Sequence, residues 1–258
     1  MTQAITVAIA NQKGGVGKST TAINLGAALA FQGERILLVD LDPQGNTTSG
    51  LGIDRAGIVS STYEVLVDET PVEDAVEPTS VRDLFLLPAT IELAGAEIEL
   101  VALFSREARL AKALADVVDQ YDFVLIDCPP SLGLLTVNGL AAATEVLIPI
   151  QCEYYALEGV SQLMKNVQLV KQNLNPPLEV EGVVLTMFDG RTTLSSDVVE
   201  QVRTHFGDRA YRTIIPRTVR LSEAPSYGEP IEAFDPMSRG AIAYRELARE
   251  FRRRHGRT

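Results

Sequence analysis

Short apolar runs of strand length alternate with helical patterns along almost the whole chain. The strand-like runs occupy residues 5–10, 35–42, 83–89, 123–130, 145–151, 179–189 and 211–217. Between them, apolar residues recur at a spacing near 3.6, which predicts helices that include 19–33, 105–121 and 155–174. Strand and helix in alternation predict an α/β fold, a mainly parallel twisted sheet flanked by helices on both faces. Strands that are apolar on both sides fit burial under two helical layers.

The chain length is that of one α/β domain. At 258 residues it can bury one large core, and no repeat, low-complexity tract or linker divides it, so we expect a single domain over 1–258. We expect 54–82 to be an irregular surface excursion. NLNPP (173–177) and the segment around Pro225 and Pro230 are predicted to be loops.

The stretch KGGVGKST (13–20) lies between the first strand and the first helix. Glycines let backbone N–H groups wrap a phosphate at a helix N-terminus, Lys18 can reach the β- and γ-phosphates, and the Ser19 hydroxyl can bind Mg²⁺. A glycine-rich turn with a capping serine is the structural alternative, and a dinucleotide-binding loop would read GxGxxG. The predicted nucleotide contacts are Lys13, Gly14, Gly15, Val16, Gly17, Lys18, Ser19 and Thr20.

This loop departs from the ordinary GxxxxGK[ST] pattern at its first position. Gln12 stands where the first glycine would fall, and Lys13 follows it. From there Lys13 cannot curl onto its own phosphates as readily as Lys18. It can point outward to the nucleotide of a second subunit.

Two strand ends carry carboxylates. Asp40 and Asp42 close the second strand run, where they could simply cap the next turn. Asp127 closes FVLID, the form of a Walker B motif, in which an apolar strand delivers a carboxylate to the Mg²⁺ shell, through water or through another ligand of the ion.

The motifs together resemble the ParA/MinD group of ATPases, which carry a deviant Walker A motif with a second, signature lysine. The matching stretches are KGGVGKST, VDLDPQGNTTSGLG (39–52), FVLIDCPPSLG (123–133), PIQCEYYALEGV (149–160), TMFDGRT (186–192), IPRTVRLSEAPSYGEPI (215–231) and SRGAIAYRELARE (238–250). The chain resembles the small chromosomal ParA, or Soj, partitioning ATPases along nearly its whole length, with 54–82 uninformative.

This resemblance implies roles for individual residues. It assigns catalysis to Lys13, Lys18 and Asp42, where Asp42 orients the attacking water and is a second candidate contact to the metal. It implies that the turn at Pro129–Ser131 senses the γ-phosphate. It also implies an adenine site past the last strand, formed through the backbone of Pro216, Arg217 and Thr218.

The distribution of charge along the chain bears on whether the protein binds nucleic acid. The net charge is −11, yet residues 203–258 carry twelve Lys and Arg against seven Asp and Glu. The resemblance places DNA contacts at Arg191 and Arg220, with Arg217 as a further candidate, and the tail arginines could widen the patch. The alternative is that these arginines are solvated or paired with the acidic excess.

The resemblance implies ATP and Mg²⁺ as cofactors, an ATP-dependent homodimer, non-specific double-stranded DNA and a ParB-type centromere-binding partner. The first run leads straight into the phosphate loop, so we expect no signal peptide, no preceding helix-turn-helix and a cytoplasmic, nucleoid-associated protein. Cys128 and Cys152 are predicted to be buried structural thiols.

Four other classes compete with this interpretation. A MinD-like membrane role would need an amphipathic C-terminal helix with bulky apolar residues on one face. The segment AIAYRELAREFRRRHGRT has too few such residues to form a stable membrane anchor. A nitrogenase-iron-protein-like role would need a cysteine pair for a cluster. A ligase resembling dethiobiotin synthetase would not need Lys13 to reach across a dimer, and a binding module without turnover would not need Asp42.

Overall fold

A computed structural model describes residues 4–154 and 157–257 of the chain. Its strands are β1 Ile5–Ile9, β2 Ile36–Asp40, β3 Glu77–Pro78, β4 Leu84–Leu87, β5 Phe123–Asp127, β6 Glu145–Gln151, β7 Glu179–Phe188 and β8 Ala210–Pro216. They form one sheet in the order β3-β4-β2-β5-β1-β6-β7-β8. Every neighbouring pair is parallel except β3 with β4. The carboxyl ends of the parallel strands therefore share one edge of the sheet.

Helices cover both faces. They are α1 Lys18–Phe31, α2 Asn46–Gly50, α3 Thr62–Val67, α4 Val72–Ala75, α5 Leu93–Glu99, α6 Arg109–Leu114, α7 Leu134–Ala142, α8 Glu158–Asn173, α9 Thr193–Phe206, α10 Val219–Glu223, α11 Ile231–Phe234 and α12 Arg239–Arg254. Short 3-10 turns occur at Arg55–Gly57, Leu100–Ala102, Val118–Gln120, Gly207–Arg209 and Ala224–Tyr227.

The sheet separates two hydrophobic cores because successive strand residues point to opposite faces. In β5, Phe123 and Leu125 pack with α1 and α12, whereas Val124 and Ile126 pack with the layer that contains α3 and α5 to α9. This confirms the predicted α/β architecture with strands buried on both sides. All seven predicted strand runs contain a strand.

The predicted helix over 105–121 is wrong in its extent. Ser105 has a left-handed φ of 51°, which an α-helix excludes, so α6 begins only at Arg109. It ends at Leu114, before the 3-10 turn. Helix α8 begins at Glu158, and residues 155 and 156 of the predicted helix over 155–174 lie outside the described residues.

The expectation of an irregular excursion over 54–82 is also wrong. This stretch contains α3, α4 and β3 and buries Val65 and Leu66 in the core. Helix α3 begins with a capping box in which Ser61 and Glu64 satisfy each other's backbone N–H groups. The pattern Ser-x-x-Glu is visible in the sequence and could have predicted this helix.

The segment around Pro225 and Pro230 is helical in part, which corrects the prediction of loops. Pro225 lies in the first turn of a 3-10 helix and Pro230 is the N-cap of α11. Proline is tolerated there because a helix's first N–H groups have no intrahelical partner.

The C-terminal tail is fastened to the amino edge of the sheet. Arg252 pairs with Glu34 at 2.8 Å and Arg257 with Asp122 at 2.7 Å, while Phe251 is fully buried. The tail arginines are thus paired with the acidic excess at these positions.

Two further features concern the whole chain. Cys128 and Cys152 are buried free thiols, as predicted. Across residues 4–154 and 157–257, no helix is long and apolar enough to cross a membrane.

Candidate nucleotide site

The phosphate loop joins β1 to α1 at the carboxyl edge of the sheet. Gly15 and Gly17 have φ of 74° and 89°, a left-handed conformation that favours glycine. Gly17 is the N-cap of α1 and supplies no side-chain cap. The N–H groups of the first helical turn therefore remain available to an anion, aided by the helix dipole.

Lys18 follows the loop as the first residue of α1 and is only 6% exposed. Its Nζ lies 3.5 Å from the Lys13 carbonyl oxygen. Burial lowers the pKa of Lys18, opposed by the negative charges of Asp127 and Asp42. A desolvated cation facing two carboxylates fits a site that receives the phosphates of a nucleotide.

Two side chains that the sequence interpretation missed brace the loop. Asn11 donates to the Pro149 carbonyl at 2.7 Å and accepts from the Lys13 N–H at 3.0 Å. The Thr186 hydroxyl donates to the Val16 carbonyl at 2.8 Å. Thr186 stands inside a quoted motif and Asn11 just before one, but their contacts connect distant parts of the chain.

Asp40 and Asp127 lie side by side because β2 and β5 pair in that register. Thr48 donates to Asp40 at 2.7 Å, and Thr47 donates to Oδ2 of Asp127 at 2.7 Å. Burial raises the pKa of both carboxyls, and their proximity adds to the rise at Asp40. Among the described residues, Oδ1 of Asp127 is buried without a hydrogen-bond partner.

Asp42 follows β2 and faces Lys18. Its Oδ1 accepts from the Gln44 N–H at 3.0 Å, and the Gly45 N–H donates to the Asp42 carbonyl at 2.8 Å. The side chain is thereby fixed at the start of a tight turn that leads into α2. Lys18 thus lies within the electrostatic reach of both Asp42 and Asp127.

The predicted base-binding residues line a cavity of about 360 Å³ beside the phosphate loop. The residues of this cavity are Gly17, Thr20, Thr186, Met187, Ile215, Pro216, Arg217, Thr218, Leu221, Ser222, Pro225 and Tyr244. Another cavity, of about 370 Å³, lies between α3 and α6 and contains none of the predicted site residues. Gly17 and Thr20 connect the first of these cavities to the phosphate loop.

Lys13 lies at the opposite end of the loop and is half-buried. Within the part of the chain that the structure describes, its ammonium has no hydrogen bond or ion pair. Its Cβ lies near Gly159, in the first turn of α8. Nothing in its described surroundings neutralises this cation.

The predicted DNA-contacting arginines lie at the carboxyl ends of β7 and β8, and all three are exposed and ion-paired. Arg191 forms a two-point pair with Asp189, with contacts of 2.9 and 2.6 Å. Arg217 lies 3.7 Å from Glu153. In α10, Arg220 lies 3.2 Å from a carboxylate oxygen on each of its partners, Glu223 and Asp235.

Comparisons with known proteins agree with this geometry. The chain matches the family described as AAA domain over residues 4–180. It is 59% identical to the sporulation initiation inhibitor protein Soj of Bacillus subtilis strain 168, over 95% of this chain and 96% of that protein. It is 54% identical to the chromosome partitioning protein ParA of Myxococcus xanthus strain DK1622, over 96% and 88% of the two chains.

Solved structures share the fold. A Mycobacterium smegmatis protein named cobyrinic acid a,c-diamide synthase, solved with ADP and magnesium, is 43% identical with a TM-score of 0.86, over 98% of this chain and 96% of that chain. The MinD protein of Pyrococcus horikoshii, complexed with Mg-ADP, is 25% identical with a TM-score of 0.77, over 98% of each chain. The chain therefore belongs to the ParA/MinD family of ATPases with a deviant Walker A motif, in the group of Soj-type chromosome-partitioning proteins.

Proposed function

We propose that this chain hydrolyses ATP as a sandwich dimer, and that the ATP-bound dimer binds DNA non-specifically until a ParB-type partner stimulates hydrolysis and release. The names of its relatives support a role in chromosome partitioning. The observation that carries the proposal is the convergence of Lys18, Asp42 and Asp127 on a loop whose second lysine, Lys13, is unneutralised within the described residues.

The residues around Asp127 fit a magnesium ion. Mg²⁺ in nucleotide sites binds one or two carboxylates, waters and substrate phosphates. Asp127 offers a buried oxygen without a protein partner, and the Ser19 side chain lies close enough to lower the pKa of Asp127 against the effect of burial. We assign Ser19 and Asp127 to the ion, with Asp127 acting through water or through another ligand of the ion. When bound, the ion neutralises charge on the β- and γ-phosphates.

Hydrolysis in this site requires an oriented water and stabilisation of the developing charge. Lys18 and the N–H groups at the start of α1 stabilise charge on the phosphates. Oδ1 of Asp42 is occupied by the Gln44 N–H, so we assign Oδ2 to the attacking water. We assign the adenine to the backbone of Pro216, Arg217 and Thr218, in the cavity next to Gly17.

Lys13 links hydrolysis to dimerisation in this proposal. We expect Lys13→Ala to bind ATP as a monomer with nearly unchanged affinity, but to lose the ATP-dependent dimer and stimulated hydrolysis. The reason is that Lys13 neutralises the phosphates of the partner's nucleotide, as an arginine finger supplied in trans does elsewhere. Calorimetry measures the affinity, and light scattering after size-exclusion chromatography measures the dimer. Lys165→Ala, an exposed lysine on α8, is the control.

Mixing two inactive variants tests action in trans. In a mixed dimer of Lys13→Ala with Asp42→Ala, one site combines its own Asp42 with Lys13 from the other subunit. We therefore expect the mixture to recover hydrolysis that neither variant shows alone. Normal dimers of Lys13→Ala, or a mixture that stays inactive, would argue that Lys13 acts on its own nucleotide.

DNA binding is the test of the whole proposal. Phosphate contacts need no sequence reading, and a dimer presents each arginine twice against an acidic body. We expect unrelated duplexes to bind with ATP and not with ADP. Arg220→Glu and Arg191→Glu should weaken this binding without changing ATP-driven dimerisation. Because each phosphate contact contributes a slope of about −0.9 in log K against log salt, losing one arginine per subunit should reduce the slope by about two units.

Biolayer interferometry at several salt concentrations measures these slopes. Arg82→Glu is the matched control, since Arg82 is 94% exposed at its side chain and lies next to β4, far from β7 and β8 along the sheet. Equal binding with ADP and ATP, or no binding with ATP at low salt, would contradict the DNA proposal. A MinD-like role at a membrane would then become the leading interpretation.

The name of the Mycobacterium smegmatis protein raises a second possibility, a synthase that couples ATP to amide formation. We favour partitioning because the relatives with 54% to 59% identity are named as partitioning or Soj proteins over nearly the same length.

A further inference from the structure

Arg55 contacts the turn that carries Asp42, from a segment that the motifs leave uninterpreted. Its Nη1 donates to the Gln44 carbonyl at 2.8 Å and its Nη2 to the Pro43 carbonyl at 3.1 Å. A planar guanidinium can satisfy two neighbouring carbonyls at once, and such bonds are stronger than neutral ones. Arg55 therefore holds the outer side of the turn immediately after Asp42.

The turn is shaped to receive this guanidinium. Gly45 has φ of 64°, and a Cβ built there would lie 2.7 Å from Cζ and 2.8 Å from Nε of Arg55. Any side chain at position 45 would displace the guanidinium, besides being strained by the backbone conformation. The glycine thus permits both the turn and the close approach of Arg55.

Arg55 is itself fixed in place. It begins a 3-10 turn whose N-cap, Asp54, accepts from the Ala56 N–H at 3.1 Å. Across residues 4–154 and 157–257, Arg55 forms no ion pair, although its charge contributes, after hydrogen bonds to Glu92, to lowering the pKa of that carboxyl. On the inner side, Thr47 and Thr48 bind the carboxylates of Asp127 and Asp40.

We infer that Arg55 is a positioning residue for hydrolysis, holding the turn that aims the Asp42 carboxylate at the attacking water. This inference rests on the proposed role of Asp42. Arg55 touches the backbone of Pro43 and Gln44, and the Gln44 N–H binds Oδ1 of Asp42. Without the guanidinium, the contacts of Thr47 and Thr48 remain, but the carbonyls of Pro43 and Gln44 lose their hydrogen bonds to Arg55.

The test compares Arg55→Ala and Arg55→Lys with the wild type and with Arg82→Ala as a surface control. We expect Arg55→Ala to lower the single-turnover rate at saturating ATP about ten- to a hundredfold, because small misplacements of a catalytic group carry losses of this size. The affinity for a non-hydrolysable ATP analogue should stay within about twofold of the wild type. Arg55→Lys should fall between, since lysine lacks the planar fork, and it serves if the alanine variant does not fold.

A double-mutant cycle separates positioning from a general structural effect. In an Asp42→Ala background, Arg55→Ala should cause little further loss of hydrolysis, because the group it positions is already gone. An equal loss in both backgrounds would overturn the inference. So would a wild-type rate in Arg55→Ala.

Hydrogen exchange gives a readout that does not depend on activity. Peptides spanning 41–50 should exchange faster in Arg55→Ala than in the wild type without nucleotide, and strands β1 and β5 should not change. Unchanged exchange over 41–50 would overturn the role of Arg55 in the turn. A wild-type protein that fails to hydrolyse ATP even with DNA and a ParB-type partner would instead count against the proposed function.

Discussion

Replacing Lys18 with alanine is expected to remove nucleotide binding and every activity that depends on it. Lys18 is buried between the phosphate loop and the carboxylates Asp42 and Asp127, so water cannot easily take its place. Loss of charge-assisted hydrogen bonds worth about 3 kcal/mol corresponds to about a hundredfold weaker binding. Isothermal titration calorimetry with ATP and Mg²⁺ measures this directly.

Two further lysine variants serve as comparisons for Lys18→Ala. Lys18→Arg keeps the charge but has to fit a larger group into a space where the lysine is only 6% exposed, so we expect it to bind poorly as well. Lys165→Ala should bind like the wild type. If Lys18→Ala retained wild-type affinity, the nucleotide would have to lie somewhere other than this loop.

Replacing Asp42 is expected to separate binding from turnover. Asp42→Ala should still bind ATP and accumulate as a dimer, while its hydrolysis rate falls about a hundredfold or more, the usual contribution of a positioned acid–base group. The physical reason is that Asp42 is assigned to the water and not to the phosphates. Phosphate release under single-turnover conditions and size-exclusion chromatography with ATP provide the two measurements.

The variant Asp42→Asn tests whether hydrolysis depends on the charge of this side chain or only on its shape. The amide oxygen can still accept from the Gln44 N–H, so the turn should persist while the carboxylate is lost. We expect this variant to hydrolyse ATP as slowly as the alanine variant. Asp116→Ala, an exposed carboxylate on the α3–α6 side, is the control. Wild-type turnover in Asp42→Asn would assign the water to another residue.

The strands were predictable from sequence because burial on both faces makes them continuous apolar runs. The predictions of secondary structure that failed did so for local structural reasons. The apolar spacing of 105–121 persists where Leu110 and Leu114 face the core, but the left-handed Ser105 stops the helix from extending toward its start. The small strand β3 pairs only two residues with β4, too few to produce a recognisable pattern.

The side chains that we propose for the nucleotide site could be picked out from sequence because each lies in a recognisable motif. Their supports could not, since these contacts join residues far apart in sequence. Thr186 reaches Val16 across 170 positions, and Thr47 reaches Asp127 across 80. A sequence shows that such residues are polar, but only the packed sheet shows what they contact.

The ion pairs of the arginines could likewise not be predicted from the sequence. The sequence left open whether Arg191 and Arg220 are solvated, paired or available to DNA. Both are exposed and paired with carboxylates in the structure. Solvent screens exposed pairs of this kind, so a DNA phosphate can displace the carboxylate at little cost. Pairing therefore does not conflict with the proposed DNA contacts.

The packing of the C-terminal tail against the sheet has a consequence for folding during synthesis. Tyr244, Leu247 and Phe251 complete the core on the α1 side of the sheet, and the tail arginines then pair with Glu34, before β2, and Asp122, before β5. Until residues 239–257 have emerged from the ribosome, a nascent chain lacks this layer, so its first helix stays partly uncovered. Since domains fold as units and chains grow at about 5–20 residues per second, we expect this domain to complete its fold only once these residues have emerged.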